Sequence, residues 1–221
     1  MRKLIIAIDG PSGAGKGTVA RTLAESLHYR HVDTGAMYRA VGWKAVHDGI
    51  AFEDEAAVAA LANRADIIVE GGRVEIDGHD VTRAIRTPEI DKAASSVARL
   101  PRVREVLVRR QRALAEGGGV VMEGRDIGTV VFPKADVKIY LDASAEERAR
   151  RRMNDTAHTS STSGEAAVAA AIQARDKSDT TRTASPLTLA ADAVHIDTTG
   201  MPIADVVRRV MDLVNAAIQR R

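Results

Sequence analysis

Apolar and polar positions change period several times along the chain, and those changes delimit its elements. Lys3-Leu-Ile-Ile-Ala-Ile-Asp9 is a continuous apolar run ending in glycines, the profile of a strand covered on both faces. Thr18 to Leu27 brings Val19, Leu23 and Leu27 round at helical spacing. Tyr29 to Val32 predicts a second short strand, and Asp33-Thr34-Gly35 opens a helix carrying Met37, Tyr38, Val41 and Val46. Strand, helix, strand, helix predicts an α/β chain on a parallel sheet flanked by helices.

The rhythm then breaks. Asp66 to Val81 reads as two short strands around Gly71-Gly72, a small antiparallel hairpin inserted at the edge of the α/β core. Thr87-Pro88-Glu89 opens one helix and Pro101 another, the second running to about Glu116 and stopped by Gly117-Gly118-Gly119. Alternation returns with a buried strand at Val120-Val121-Met122, which ends in Glu123-Gly124-Arg125-Asp126, and a further strand at Val137 to Leu141. Ser144-Ala145-Glu146-Glu147 is a capping-box signature for a helix holding Arg148, Arg150, Arg151 and Arg152. Thr159 to Gly164 reads as an exposed, mobile tip between arginine-bearing helices. Val194 to Ile196 is the last strand expected, and Ile203, Val206, Val207, Val210, Val214 and Ile218 line a closing helix behind Pro202.

Composition narrows the classes of function. A chain of 221 residues, 45% apolar and 28% charged, suits one core with one or two insertions. It has no apolar run of ~20 residues, which argues against a transmembrane helix, and Leu4 to Ile8 is too short for a signal-peptide core. The absence of cysteine excludes disulfides, zinc–thiolate sites and cysteine nucleophiles, and is compatible with a reducing cytoplasm. A net charge of +2 and a pI near 9.0 reflect a slight basic excess. Two Phe, one Trp and three Tyr offer few stacking platforms for a nucleic-acid polymer. Most basic residues are arginine, whose planar fork of donors suits phosphate and carboxylate. The six histidines show no metal-ligand spacing and read as structural or solvent-facing.

The strongest chemical signal is Gly10-Pro11-Ser12-Gly13-Ala14-Gly15-Lys16-Gly17-Thr18. It fits G-x-x-x-x-G-K between a buried strand and a helix, where backbone N–H groups and the helix N-terminus converge on phosphate oxygens. Lys16 is placed to reach the β- and γ-phosphates. The strict motif has Ser or Thr directly after the lysine; here Gly17 takes that place and Thr18 follows. Arg39 follows a helix start, Arg125 follows a buried strand, and Arg175 and Arg182 flank Asp179. The loops after parallel strands leave one edge of the sheet, so these arginines beside a phosphate loop suit phosphoryl transfer, where positive charge supplies most of the catalysis.

With these motifs in hand the chain resembles bacterial cytidylate kinases. The matching blocks are residues 10–18, Asp-Thr-Gly-Ala-Met-Tyr-Arg (33–39), Pro-Arg-Val-Arg-Glu (101–105), Arg-Arg-Gln-Arg (109–112), Glu-Gly-Arg-Asp-Ile-Gly-Thr (123–129), Val-Val-Phe-Pro (130–133), Leu-Asp-Ala-Ser-Ala-Glu-Glu-Arg-Ala (141–149), and the stretch from Arg175-Asp176 through Arg182 to Pro186-Leu187. The resemblance implies a P-loop kinase core (1–38, 117–147 and 184–221), an acceptor-binding insertion with its hairpin (39–116) and a short helical lid (148–183). It also implies transfer of the γ-phosphoryl group of ATP to CMP or dCMP, with Mg²⁺ accompanying ATP, in a cytoplasmic monomer acting on free nucleotides.

Carried over residue by residue, the resemblance gives residues 10–18, with Arg148 and Arg152, to ATP. Lys16, Arg125 and Arg182 become the catalytic set. Arg39, Arg125 and Arg182 would hold the CMP phosphate; Ser95, Arg104 and Asp126 would read cytosine; Arg175 and Asp179 would bind the sugar; Thr34 and Tyr38 would line the pocket. No residue is expected to ligate metal directly, and Glu123 is the candidate to orient Mg²⁺ waters. Two alternatives stay open on sequence alone: a P-loop kinase for another nucleoside monophosphate or a small-metabolite hydroxyl, and a nucleotide-driven switch or RNA-associated ATPase. The base pocket decides against or for the first, and the second lacks a visible guanine-reading or ABC signature or a basic aromatic surface.

Overall fold

The computed structural model describes residues 3–155 and 164–220. From the N-terminus the elements are β1 (Ile5–Asp9), α1 (Lys16–Leu27), β2 (Arg30–Asp33), α2 (Thr34–His47) and α3 (Glu55–Arg64). A hairpin region follows with β3 (Ile67–Glu70), β4 (Arg73–Ile76) and β5 (His79–Asp80), then α4 (Pro88–Val97) and α5 (Pro101–Leu114). The chain continues through β6 (Val120–Gly124), a π-helical turn (Ile127–Val131), β7 (Val137–Asp142), α6 (Ala145–Met153), α7 (Glu165–Thr181), β8 (Val194–Asp197) and α8 (Ile203–Gln219).

Five strands form a parallel sheet in the order β2-β6-β1-β7-β8, and the other three form an antiparallel sheet, β3-β4-β5. The apolar run of β1 has partners on both faces, as a continuous rather than alternating pattern requires. Ile6 and Ile8 pack with Val19 and Leu23 of α1 and Val206, Val210 and Val214 of α8. Ala7 turns the other way, onto Val32, Met122, Val108 of α5 and the π turn's Ile127 and Val131. A second core joins Met37 and Val41 of α2 to Val58 and Leu61 of α3, Val97 of α4 and Leu107 of α5. The small sheet lies on Ala36, Ala40 and Ile90 through Val74 and Ile76. Ala149, Val168 and Ile172 join α6 to α7. No described helix is long and apolar enough to cross a membrane.

Several local expectations are met with adjustments. Pro88 and Pro101 stand in the first turns of α4 and α5. Ser144 caps α6 by accepting from Glu147 N at 3.2 Å, but the Glu147 carboxylate turns out to Arg150 and Arg151, so only half of the capping box forms. Helix α1 begins at Lys16, two residues before the apolar spacing does. The third strand β5 follows the Asp77-Gly78 turn, where φ is 49° and 78°; two residues are too few to leave a period. Helix α3 is capped by Asp54, and its alanine-rich sequence gives weak apolar contrast. The segment at 159–163 lies outside the described residues, and Gly164 caps α7. Helices α2 and α6 run unbroken through the boundaries expected after residues 38 and 147.

Candidate active site

Parallel pairing brings the strand ends to one edge: Asp9 lies opposite Gly124, and Asp33 opposite Glu123. The glycine loop leaves β1 at this edge and turns into α1. Gly10, Gly13 and Gly15 have φ of 145°, 80° and 89°, the region that favours glycine. A Cβ on Gly10 would stand 1.9 Å from the Leu141 carbonyl oxygen, and one on Gly13 would stand 2.9 Å from Arg148 Cβ. The loop therefore packs directly on β7 and α6. Lys16 is buried and its Nζ donates to the Pro11 carbonyl at 2.7 Å. Burial, then the nearby Arg125, pushes its pKa down to about 7, against the pull of Glu123.

Asp9 fixes the opposite wall. Its two carboxylate oxygens accept from Ile127 N at 2.8 Å and Gly128 N at 2.7 Å, which anchors the π turn directly after Arg125 and Asp126. Burial raises its pKa to about 6. Glu123 sits beside the start of α1: a Cβ on Gly17 would lie 3.3 Å from Glu123 Oε1. The space that a Ser or Thr side chain needs in the strict loop is thus taken by a carboxylate. His31 Nε2 is 2.9 Å from the same oxygen, and Thr34 Oγ1 donates to the Glu123 carbonyl at 2.7 Å. Among the described residues, no group of three His, Cys, Asp or Glu could hold a metal ion.

Across from the loop, arginines alternate with carboxylates. Arg104 Nη2 donates to Asp126 Oδ2 at 2.5 Å, and its guanidinium lies over the Tyr38 ring, 5.4 Å from the centroid. Arg125 Nε donates to Asp179 Oδ2 at 2.8 Å. Arg182 Nε donates to the Ser185 carbonyl at 2.7 Å while its terminal nitrogens lie 3.6 Å from Asp126 and 3.7 Å from Asp179. Burial works to raise the Asp179 pKa, but Arg125, Arg175 and Arg182 outweigh it and hold it below the ordinary value. Burial pushes the Tyr38 hydroxyl up to about 12. Tyr38 OH, Arg104 Nε, Arg175 Nε and Arg182 Nη2 are buried without a hydrogen-bond partner. Orphaned polar atoms of this kind are costly, and a polar ligand in the cavity would supply their partners.

These walls enclose a cleft of ≈ 730 Å³, the size of a nucleotide-binding cavity. Of the residues singled out from sequence, the cleft is lined by 12–18, Thr34, Tyr38, Arg39, Ser95, Arg104, Glu123, Arg125, Asp126, Arg152, Arg175, Asp179 and Arg182. Gly10 and Pro11 form the loop's base. Arg148 lies behind it, donating to the Ala143 and Ser12 carbonyls at 3.0 and 3.1 Å and to Asp176 at 2.5 Å. Sequence reasoning missed Asp9, His31 and Asp91. His31 is two residues before Asp33 on a strand that ends at the cleft, and Asp91 is one helical turn before Ser95. Nearness to those residues is the one signal the sequence offers for either, and it does not reveal the partners that give them a role.

A phosphate loop at the carboxyl edge of a parallel sheet, facing an arginine-lined cleft closed by an insertion and a helical lid, defines a P-loop kinase. The fold is similar to that of a gluconokinase from Sinorhizobium meliloti 1021, with a TM-score of 0.52 and 15% identity, covering 100% of this chain and 99% of the other. The cytidylate kinase family model matches residues 6–216, and the chain belongs to that family. The cytidylate kinase of Pelotomaculum thermopropionicum is 51% identical over 216 residues, 96% of each chain. That of Desulfitobacterium hafniense is 48% identical over 221 residues, covering 99% of this chain and 95% of the relative.

Proposed function

We propose that this enzyme transfers the γ-phosphoryl group of ATP to CMP or dCMP, giving ADP and CDP or dCDP. An oxygen of the acceptor's phosphate forms the new bond to the γ-phosphorus as the bond from that phosphorus to the β,γ-bridging oxygen breaks, and ADP carries the electron pair away. No protein nucleophile is needed. Residues 10–18 cradle the triphosphate, with Arg152 approaching from the lid, and Lys16 follows the charge as it moves to the leaving group. Arg39, Arg125 and Arg182 receive the acceptor's phosphate and bring it in line; donors fixed before the reaction cost no reorganisation during it.

The observation that carries this reading is the set of half-buried Ser95 with buried Arg104 and Asp126, bordered by Tyr38 and by orphaned donors. Cytosine presents acceptors at O2 and N3 to Arg104 and Ser95, and its amino group donates to Asp126. Uracil reverses that edge at N3 and O4 and leaves Asp126 without a donor, a mismatch that polar sites reject strongly. Arg175 and Asp179 take the sugar, and Thr34 lines the pocket wall. The division into core, insertion and lid at residues 39–116 and 148–183 belongs to the same reading, as do a monomeric state and a cytoplasmic location among free nucleotides.

Mg²⁺ bound with ATP would neutralise triphosphate charge and fix its conformation. Glu123 fits as a carboxylate to orient its waters, being beside Gly17 at the first turn of α1 with one oxygen 2.9 Å from His31 Nε2. Phosphate oxygens and water would supply its ligands. Calorimetric titration with CMP and with UMP tests the base pocket without ATP: CMP is expected to bind at least ~100-fold more tightly. Equal affinities would contradict the assignment of Ser95, Arg104 and Asp126.

A further inference from the structure

Asp91 carries no role in the nucleotide assignments above, yet arginines from three other helices end on its carboxylate. Arg39 Nε of α2 and Arg175 Nη1 of α7 each donate to Oδ1 at 3.0 Å, and Arg152 of α6 donates to Oδ2. The side chains of Arg39, Arg152 and Arg175 are only 9%, 14% and 15% exposed, so solvent screens these pairs little. Arg39 also faces Asp33 and Glu123, Arg152 faces Asp155, and Arg175 faces Asp179 and the like charge of Arg125. Asp91 is the carboxylate common to all three.

Packing leaves this junction to the charges. Helices α4 and α7 face each other across a cavity of ≈ 340 Å³ lined by Pro88, Lys92, Val168, Ala171 and Ile172. A gap forfeits dispersion contact, so apolar side chains do little to fasten the lid to the insertion here. Arg175 lies near two like charges, and burial followed by Arg39 and Arg125 lowers its pKa to about 10. Without a central carboxylate the guanidiniums would spread apart.

We propose that Asp91 is a positioning residue for the transfer reaction, whose carboxylate draws Arg152 and Arg175 of the lid, which face the triphosphate and the sugar, onto Arg39 of the insertion, which receives the acceptor's phosphate, and so closes the lid over the acceptor's site. The inference deepens the proposed function and rests on it for the identity of the acceptor. Asp91 acts by populating the closed arrangement before substrate arrives. Its loss therefore lowers the fraction of competent enzyme and raises the apparent acceptor constant in proportion, while a saturating acceptor dianion still gathers the arginines and preserves turnover.

The chain has no cysteine, so spin labels on Glu89→Cys of α4 and Ala170→Cys of α7, both exposed positions, report the gap cleanly. Pulsed electron paramagnetic resonance without nucleotide is expected to give a narrow distance distribution in the parent, a longer and broader one in Asp91→Asn, and recovery in Asp91→Glu. The KM for CMP should rise roughly tenfold in Asp91→Asn with kcat within about twofold. An unchanged distance, or a KM that stays level or falls, overturns the proposal. If Asp91→Asn fails to fold, Arg152→Gln cuts the same link from the lid, and an unchanged distance there overturns it equally. Because the distance is read without nucleotide, a wrong acceptor would silence CMP turnover in the parent and still leave the widening visible.

Discussion

Lys16, to which the proposed mechanism gives the triphosphate, is a buried amine whose pKa burial and Arg125 lower to about 7. At pH 8 the empty site holds it largely neutral, and the triphosphate's negative charge would restore the proton. Calorimetry in buffers of different ionisation enthalpy should therefore show uptake approaching about one proton per ATP at pH 8 and little at pH 6; equal uptake at both would contradict this environment. The proposed mechanism puts Arg125 on the transferring group, so Arg125→Ala should cut kcat by about a thousandfold with an unaltered far-ultraviolet spectrum. Near-normal turnover in the folded variant removes it from the catalytic set. Asp126→Asn retains the shape but offers an amide to cytosine's amino group, and the ratio of kcat/KM for CMP over UMP should contract at least ~10-fold; an unchanged ratio rejects base reading by Asp126. The lining residues named from sequence were legible because they sit in dense motifs. Asp91 and His31 were not, since a carboxylate on an exposed-looking helix and a histidine in a short strand have ordinary surface readings until the fold gives them partners.

At the scale of elements, the glycine loop is the tightest constraint. Gly10 combines a φ of 145° with an approach that would put a Cβ 1.9 Å from a backbone oxygen of β7, and neither partner is a flexible side-chain end. Gly10→Ala should force β1 and β7 apart and lower Tm by about 10 °C, the consequence of roughly 3 kcal/mol of strain in a domain of this size; a variant melting with the parent would contradict the close packing. The strands and helices of the core announced themselves through sharp changes of apolar period. What escaped that reading was weakly patterned: alanine-rich α3, the two-residue β5, and the π turn, whose backbone is held by Asp9 from 118 residues away. Long-range hydrogen bonds of this sort leave no local period.

At the scale of the whole molecule, the proposed chemistry falls where the core, insertion and lid of that reading meet. In it the parallel sheet supplies the phosphate loop and Glu123, the insertion would supply Arg39, Ser95 and Arg104, and the lid helices Arg152, Arg175 and Arg182. Order along the chain predicts the alternation of core and inserted segments, but the meeting of α4 and α7 depends on how those segments fold back. The proposed reaction needs all three together, because water admitted to a half-closed cleft would hydrolyse ATP. The most direct test is the rate of ADP formation from ATP and Mg²⁺ with CMP, dCMP, UMP, AMP or GMP offered singly. Rapid turnover with CMP and dCMP and little with the purine nucleotides is the expected result. Turnover that favours a purine monophosphate would contradict the proposed reading of the cleft.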